Sequence, residues 1–166
     1  MAIDRKSYII RSIKMADEPF LWEMLYRALF MPPEATPLQK EVIFQPELAK
    51  YVQNWGTNED TGSIAILEES QAKVGAVWLR MFASSNPGYG YIDDETPELS
   101  IAVLPEYRGL GIGTRLLTEL FLQVKNQYSA VSLSVSANNP AFRLYRRLGF
   151  EVVDRHDNSL TMKKNL

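Results

Sequence analysis

An α/β fold, with a mixed sheet carrying helices on both faces, is predicted by three features of this 166-residue chain. Short apolar runs rich in β-branched residues lie near both ends and in the middle. Segments of helical period fall between them. The central stretch from Glu98 to Thr114 joins the two kinds: an apolar run, a stop at Pro105, a glycine-rich loop and the first turn of a helix. At this length one domain over residues 1–166 is expected.

The elements follow in order. Ser7 to Ser12 alternates around Tyr8 and Ile10 and predicts a first strand. Asp17 is placed to cap a helix running through Phe20 to Phe30, with Pro19 in its first turn. The apolar residues of that helix are nearly continuous, broader than one core stripe needs. Either the helix is buried on two sides, or part of its face lines a substrate pocket. Met31 to Pro37 is proline-rich and predicts a loop. Pro46 to Trp55 predicts a short helix with Leu48, Val52 and Trp55 on one side. Ser63 to Leu67 and Lys73 to Met81 predict a hairpin. Ser84 to Pro97 is a long irregular connection, and such connections are often functional.

Glu98 to Leu104, bounded by Pro97 and Pro105, predicts a buried strand. Leu116, Leu117, Leu120, Phe121 and Val124 then recur at helical spacing. The first N–H groups of that helix lack intrahelical partners and point back toward Arg108, Gly109, Gly111 and Gly113. Glycines permit close backbone approach, the helix dipole favours an anion and Arg108 adds positive charge. The sum is a cradle for a pyrophosphate; a ligand-free glycine turn is the plainer alternative. A Walker loop is set aside because Thr114 is preceded by no lysine. A dinucleotide fingerprint is disfavoured by the glycine spacing and by the absence of a carboxylate in Ala130 to Ser136. That last segment alternates strictly and predicts a fifth strand. Asn138 is placed to cap a short helix, with Pro140 near its start, Gly149 at its end and Phe150 just beyond. Glu151 to Val153 and Ser159 to Lys163 predict a closing hairpin.

Composition excludes several function classes. With no cysteine there is no disulfide framework, thiolate zinc site or cysteine nucleophile. A net charge of −2 gives no electrostatic footprint for nucleic acid. Residues 1–6 contain no apolar leader and the chain has no long apolar run, so a soluble, cytoplasmic protein with no membrane partner is expected. His156 is the single histidine, which argues against a histidine triad or a metal site.

The pattern R-x-x-G-x-G of Arg108, Gly111 and Gly113, between such a strand and such a helix, resembles the coenzyme A loop of the GNAT acetyltransferase superfamily. Asn138 to Phe150 is similar to that family's N-x-x-A-x-x-L-Y-x-x-x-G-F. Together the motifs cover roughly the last 70 residues; the N-terminal half matches only in its order of elements. The resemblance implies a GNAT-like, mainly antiparallel sheet whose fourth strand is bulged and splays from the fifth. That gap would receive the pantetheine arm of acetyl-CoA, the cosubstrate, on the backbone of Ile101 and Val103. Arg108, Gly109, Gly111, Gly113 and Thr114 would hold its pyrophosphate. Asn138 would add a coenzyme contact to its capping role. Tyr145, a core tyrosine by spacing alone, would place its hydroxyl near the coenzyme sulfur as general acid.

The implied activity is transfer of acetyl to a primary amine, on a small molecule or a peptide. Without cysteine, direct transfer in a ternary complex is favoured over an acyl-enzyme. An amine of pKa near 10.4 needs a base. Some members of the family carry a glutamate in the fifth strand, where this chain has Ser134. Glu98, entering the fourth strand, is the best remaining candidate. Asp93, Asp94 and Glu95, with Tyr89 and Tyr91 beside them, form either a solvated loop or a lure for a cationic amine. Ser134 also keeps open a catalytically silent acyl-CoA-binding module. The composition leaves a homodimer open.

Overall fold

Alternation along two neighbouring strands sets both faces of the molecule. In the computed structural model, which describes residues 7–166, β2 (Thr61–Leu67) pairs antiparallel with β3 (Lys73–Arg80). Ala65, Val77 and Leu79 point to one side, where Leu116, Leu117, Leu120 and Val124 of α3 (Ile112–Val124) cover them. Ile64, Ile66, Ala76 and Trp78 point to the other, against Leu21, Met24 and Leu25 of α1 (Glu18–Ala28). A period of two on a sheet covered on both faces turns strands into near-continuous apolar runs.

The remaining strands are β1 (Tyr8–Ser12), β4 (Glu98–Val103), β5 (Ala130–Ser136), β6 (Glu151–His156) and β7 (Ser159–Asn165). All seven form one sheet in the order β1-β2-β3-β4-β5-β7-β6. Every neighbour is antiparallel except β4 and β5, which run parallel. These two share a single residue pair, Glu98 with Ser132, and then part. The expected splay is therefore present. The expected bulge in β4 is not: its register on β3 runs unbroken from Arg80–Glu98 to Gly75–Val103. The register shifts fall in β2 and β6 instead.

Three local expectations are corrected. Asp17 does not cap α1 with its side chain. It is buried and takes Arg11 and Lys73 at 2.7 Å each, together with the Lys14 N–H. The Arg11 hydrogen bond holds its carboxyl well below the usual range. The helix expected from Pro46 to Trp55 stops at Ala49, giving α2 (Pro46–Ala49) and a turn. Side chains of β3 claim the turn's carbonyls: Trp78 Nε1 donates to Tyr51 at 3.0 Å, and Arg80 to Lys50 and Gln53 at 3.0 and 2.7 Å. At α4 (Ala141–Arg147) the N-cap position falls on Pro140, and it is Asn139 just before it, not Asn138, whose Oδ1 accepts the Ala141 N–H at 3.0 Å. The end of α4 is as expected: Gly149 has φ +98°, and Phe150 N–H returns to the Tyr145 carbonyl.

Candidate active site

Backbone parity decides what the β4–β5 gap offers. Leu104 N–H donates to Val74 on β3, whereas Ser132 N–H on β5 donates to the Pro97 carbonyl. Even-numbered residues of β4 therefore turn their backbone groups to β3, and odd-numbered ones toward β5. Past the single β4–β5 pair, Ile101 and Val103 turn theirs into an open cleft. The Val103 carbonyl accepts Arg108 Nε at 2.9 Å, which anchors Arg108 at the cleft mouth.

A cavity of about 700 Å³ follows. Ile101, Val103, Arg108, Gly109, Gly111, Gly113, Thr114 and Tyr145 all line it. Gly109 and Gly111 have φ of +77° and +85°, a left-handed backbone that glycine adopts without strain. Gly111 stands at the N-cap of α3, and no side chain caps that helix. Its first N–H groups are thus left for an anion, flanked by Arg27, Arg108 and Arg147. Asn138 is exposed and lines no part of this space, while Asn139 does.

A second cavity of about 260 Å³ adjoins it, with Ala28, Leu29, Phe30, Ile101, Asn139 and Tyr145 common to both. Leu25 and Ala28 of α1 line it, with Leu29 and Phe30 just beyond the helix, so the broad apolar surface of this segment serves both the core and a cavity. Glu98, Tyr51 and Tyr89 line it too. Glu98 is 3% exposed, and burial pushes its carboxyl up to about 7 against the opposing pull of Tyr51 and Lys50. The Tyr51 hydroxyl donates to Glu98 Oε2 at 2.5 Å and accepts the Tyr89 N–H at 2.7 Å. Burial and the neighbouring Glu98 push the Tyr51 phenol up. The Tyr145 ring packs edge-on against Phe150 at 5.8 Å. Among the described residues its hydroxyl meets no partner, and burial pushes it up to about 12.

Tyr51 is the residue that sequence reasoning missed. Its spacing beside Leu48 and Val52 reads only as core, and its partner lies 47 positions away. Ser134 lines the smaller cavity and shares a hydrogen bond with Ser159 at 3.1 Å. The acidic run is tied into its own loop: Asp93 accepts the Glu95 N–H, and Asp94 the Tyr91 hydroxyl and the Ser84 N–H. None of Asp93, Asp94 and Glu95 lines either cavity, although Tyr89 lines the smaller one. Among the described residues no acid–histidine group is arranged to hold a metal ion, and no helix is long and apolar enough to cross a membrane. The expectation of no leader concerns residues 1–6, which lie outside the described part.

The fold has counterparts among known proteins. The PaiA N-acetyltransferase from Thermoplasma acidophilum, solved in complex with coenzyme A, superposes with a TM-score of 0.70 over 96% of this chain and 99% of its own, at 21% identity. A phosphinothricin acetyltransferase from Sinorhizobium meliloti, solved with AcCoA, gives 0.67 over 96% and 89%, at 21% identity. In sequence, an N-alpha-acetyltransferase of Sulfurisphaera tokodaii is 50% identical over 58 residues, 33% of this chain and 35% of that protein. A [Ribosomal protein bS18]-alanine N-acetyltransferase of Haemophilus influenzae is 39% identical over 66 residues, 39% of this chain and 45% of that one. The matched segments thus span less than half the length of these curated relatives. The model of the Acetyltransferase (GNAT) family, by contrast, matches residues 22–150, reaching from α1 through the splayed strands to the end of the α4 motif, and the chain belongs to that family.

Proposed function

We propose that this chain is an acetyl-CoA-dependent N-acetyltransferase that acts on a primary amine by direct transfer in a ternary complex. One observation carries the reading. A single cleft joins an uncapped, glycine-led helix N-terminus, an unpaired stretch of strand edge, and a smaller cavity lined by both Glu98 and Tyr145. The pyrophosphate of acetyl-CoA sits on the first turn of α3 with Arg108 alongside. The pantetheine lies along β4 as an added strand, paired to Ile101 and to the Val103 N–H. The family match and the coenzyme-bound structural counterparts support the same cosubstrate.

The chemistry follows from the smaller cavity. The ammonium gives one proton to Glu98, the neutral amine nitrogen bonds to the acetyl carbonyl carbon, the carbon–sulfur bond breaks, and the second amine proton goes to the departing sulfur, leaving an amide and coenzyme A thiol. A carboxyl raised to about 7 is half ionised near neutral pH, where a base combines availability with driving force. Tyr145 meets the departing sulfur. A phenol at about 12 facing a thiol near 8.5 makes full proton transfer uphill by about 5 kcal/mol. Tyr145 therefore stabilises the thiolate by hydrogen bonding, and not by giving up its proton. The silent-module reading drew on Ser134, and Glu98 supplies a carboxylate in the same cavity.

The names of the relatives support the α-amine of a polypeptide as the first acceptor class to assay. The test measures release of coenzyme A with a thiol reagent, in a protein that has no thiol of its own. The probe amines are an alanine-initiated peptide amide, phenethylamine and spermidine. Amine-dependent release with an acetylated product is expected. Tight calorimetric binding of acetyl-CoA with no turnover of any amine would leave the silent module standing.

A further inference from the structure

Glu98 has two carboxylate oxygens, and neither is free to meet an amine. Oε1 is buried without a hydrogen-bond partner. It lies beneath Gly88, where a Cβ would stand 2.2 Å from it. Oε2 is capped by the Tyr51 hydroxyl at 2.5 Å. A phenol oxygen carries one proton and two lone pairs. The proton goes to Glu98 and one lone pair to the Tyr89 N–H, so one lone pair remains. Tyr51 itself lines the smaller cavity. Its ring is fixed by Phe82 edge-on at 5.0 Å, by Tyr89 stacked at 6.5 Å and, through its carbonyl, by Trp78.

We propose that Tyr51 is the group that touches the acceptor amine and relays its proton to Glu98, an inference that rests on the acetyltransfer reading of this cavity. An N–H of the ammonium bonds to the remaining lone pair of Tyr51 Oη. Its proton moves onto Oη as the tyrosine's own proton moves to Glu98 Oε2. The ammonium becomes a neutral amine, the carboxylate becomes a carboxylic acid, and Tyr51 ends as the phenol it began as. The two transfers are concerted, because burial and the adjacent carboxylate disfavour a phenolate at this site. The other charged or titratable groups facing the pair are Lys50, from the turn after α2, and Tyr89 and Tyr145, which line the same cavity.

Tyr51→Phe removes one oxygen and keeps the ring. With whichever of the three probe amines the parent turns over, kcat is expected to fall on the order of 10²- to 10³-fold. Acetyl-CoA affinity is expected to hold, and the thermal midpoint to fall, because Glu98 Oε2 and the Tyr89 N–H both lose their partner. The pH profile separates a relay from mere positioning. Below the acceptor's own pKa the ammonium still has to lose its proton. If Tyr51 only orients Glu98, the ionised carboxylate of the variant acts directly and activity returns to the parent level once Glu98 has titrated. If it relays, activity stays depressed throughout that range. Parent-level kcat, or recovery below the acceptor's own pKa, overturns the relay. Should the variant fail to fold, a proton inventory on the parent in mixed light and heavy water reads the same step: a bowed curve supports two protons in flight, and a straight line overturns them. A parent that releases no coenzyme A with any probe amine overturns the acetyltransfer reading and the relay with it. An active parent with an unaffected variant overturns the relay alone.

Discussion

Replacing Glu98 with glutamine should make the protein's stability less sensitive to pH, by an amount the structure sets. Glu98 ordinarily titrates at 4.5 and is pushed up to about 7 in the fold, mainly by burial. Below 4.5 the folded and unfolded chains both hold the proton. Between 4.5 and about 7 the unfolded chain has lost it and the folded chain keeps it, so unfolding releases a proton and stability falls as pH rises. Above about 7 both are ionised and the contribution is flat. At 1.36 kcal/mol per unit over that window, the parent loses about 3 kcal/mol relative to Glu98→Gln. Glutamine keeps the volume and still accepts from Tyr51. It also puts an amide N–H₂ under Gly88, where Oε1 has no partner. That donor costs about 1–3 kcal/mol, equally at every pH, and cancels from the slope. The assay is urea unfolding of both proteins from pH 4 to pH 8, read as the difference in unfolding free energy against pH. Curves that stay parallel would show that the carboxyl is not held up by the fold, and would remove the reason for treating it as a base tuned to neutral pH.

Gly111→Val should weaken acetyl-CoA binding in calorimetry by more than it lowers the thermal midpoint. The left-handed residue at the start of α3 costs a β-branched side chain about 1–2 kcal/mol, and its side chain would stand where the anion approaches; unchanged affinity in a folded variant refutes the cradle. Tyr145→Phe should leave acetyl-CoA affinity and the thermal midpoint unchanged, because Tyr145 lines the cavities and its hydroxyl meets no partner among the described residues. Turnover should fall by about tenfold or more for the loss of one transition-state hydrogen bond, and equal kcat values would return Tyr145 to the core.

What the sequence showed well is whatever the backbone alone decides. Left-handed turns need glycine, so Gly109, Gly111 and Gly149 are visible as residue types at fixed spacing. Alternation in β5, and helical spacing in α3, reflect contact with one continuous core. The failures have other causes. Asp17 and the end of α2 escape a local reading because a distant partner decides between local options, whereas at α4 the choice between Asn138 and Asn139 is itself local and falls to the one whose Oδ1 reaches the Ala141 N–H. Asp17 was taken by Lys73 from β3, and the carbonyls after Ala49 by Trp78 and Arg80. No local window contains those partners. Glu98 was legible by its place at the head of β4, but its burial was not, because that depends on the connection folding back over it.

That fold-back also explains why the acidic run is not part of the cavity. The connection must pass close over Glu98 and then over β5. Gly88 lies against the Glu98 carboxylate, and a Cβ at Gly90 would stand 2.6 Å from the Leu133 carbonyl carbon. Only a residue without a side chain fits at either point, which fixes Tyr89 between them with its N–H on Tyr51 and its ring over the Tyr51 ring. Having crossed β5, the chain must return to enter β4, and Asp93, Asp94 and Glu95 occupy that return on the exposed side. Their carboxylates serve the turn itself, through Asp93 to the Glu95 N–H and Asp94 to Ser84 and Tyr91. The same glycine spacing that seals Glu98 into an apolar setting, and so raises its affinity for a proton, also directs the three neighbouring acids outward. Among the residues lining the smaller cavity, Glu98 is then the one carboxylate. An acceptor with a single ammonium is therefore expected to give a higher kcat/KM than a polyamine, because a second ammonium would find no further acid in that lining, and faster turnover of spermidine than of phenethylamine would refute this.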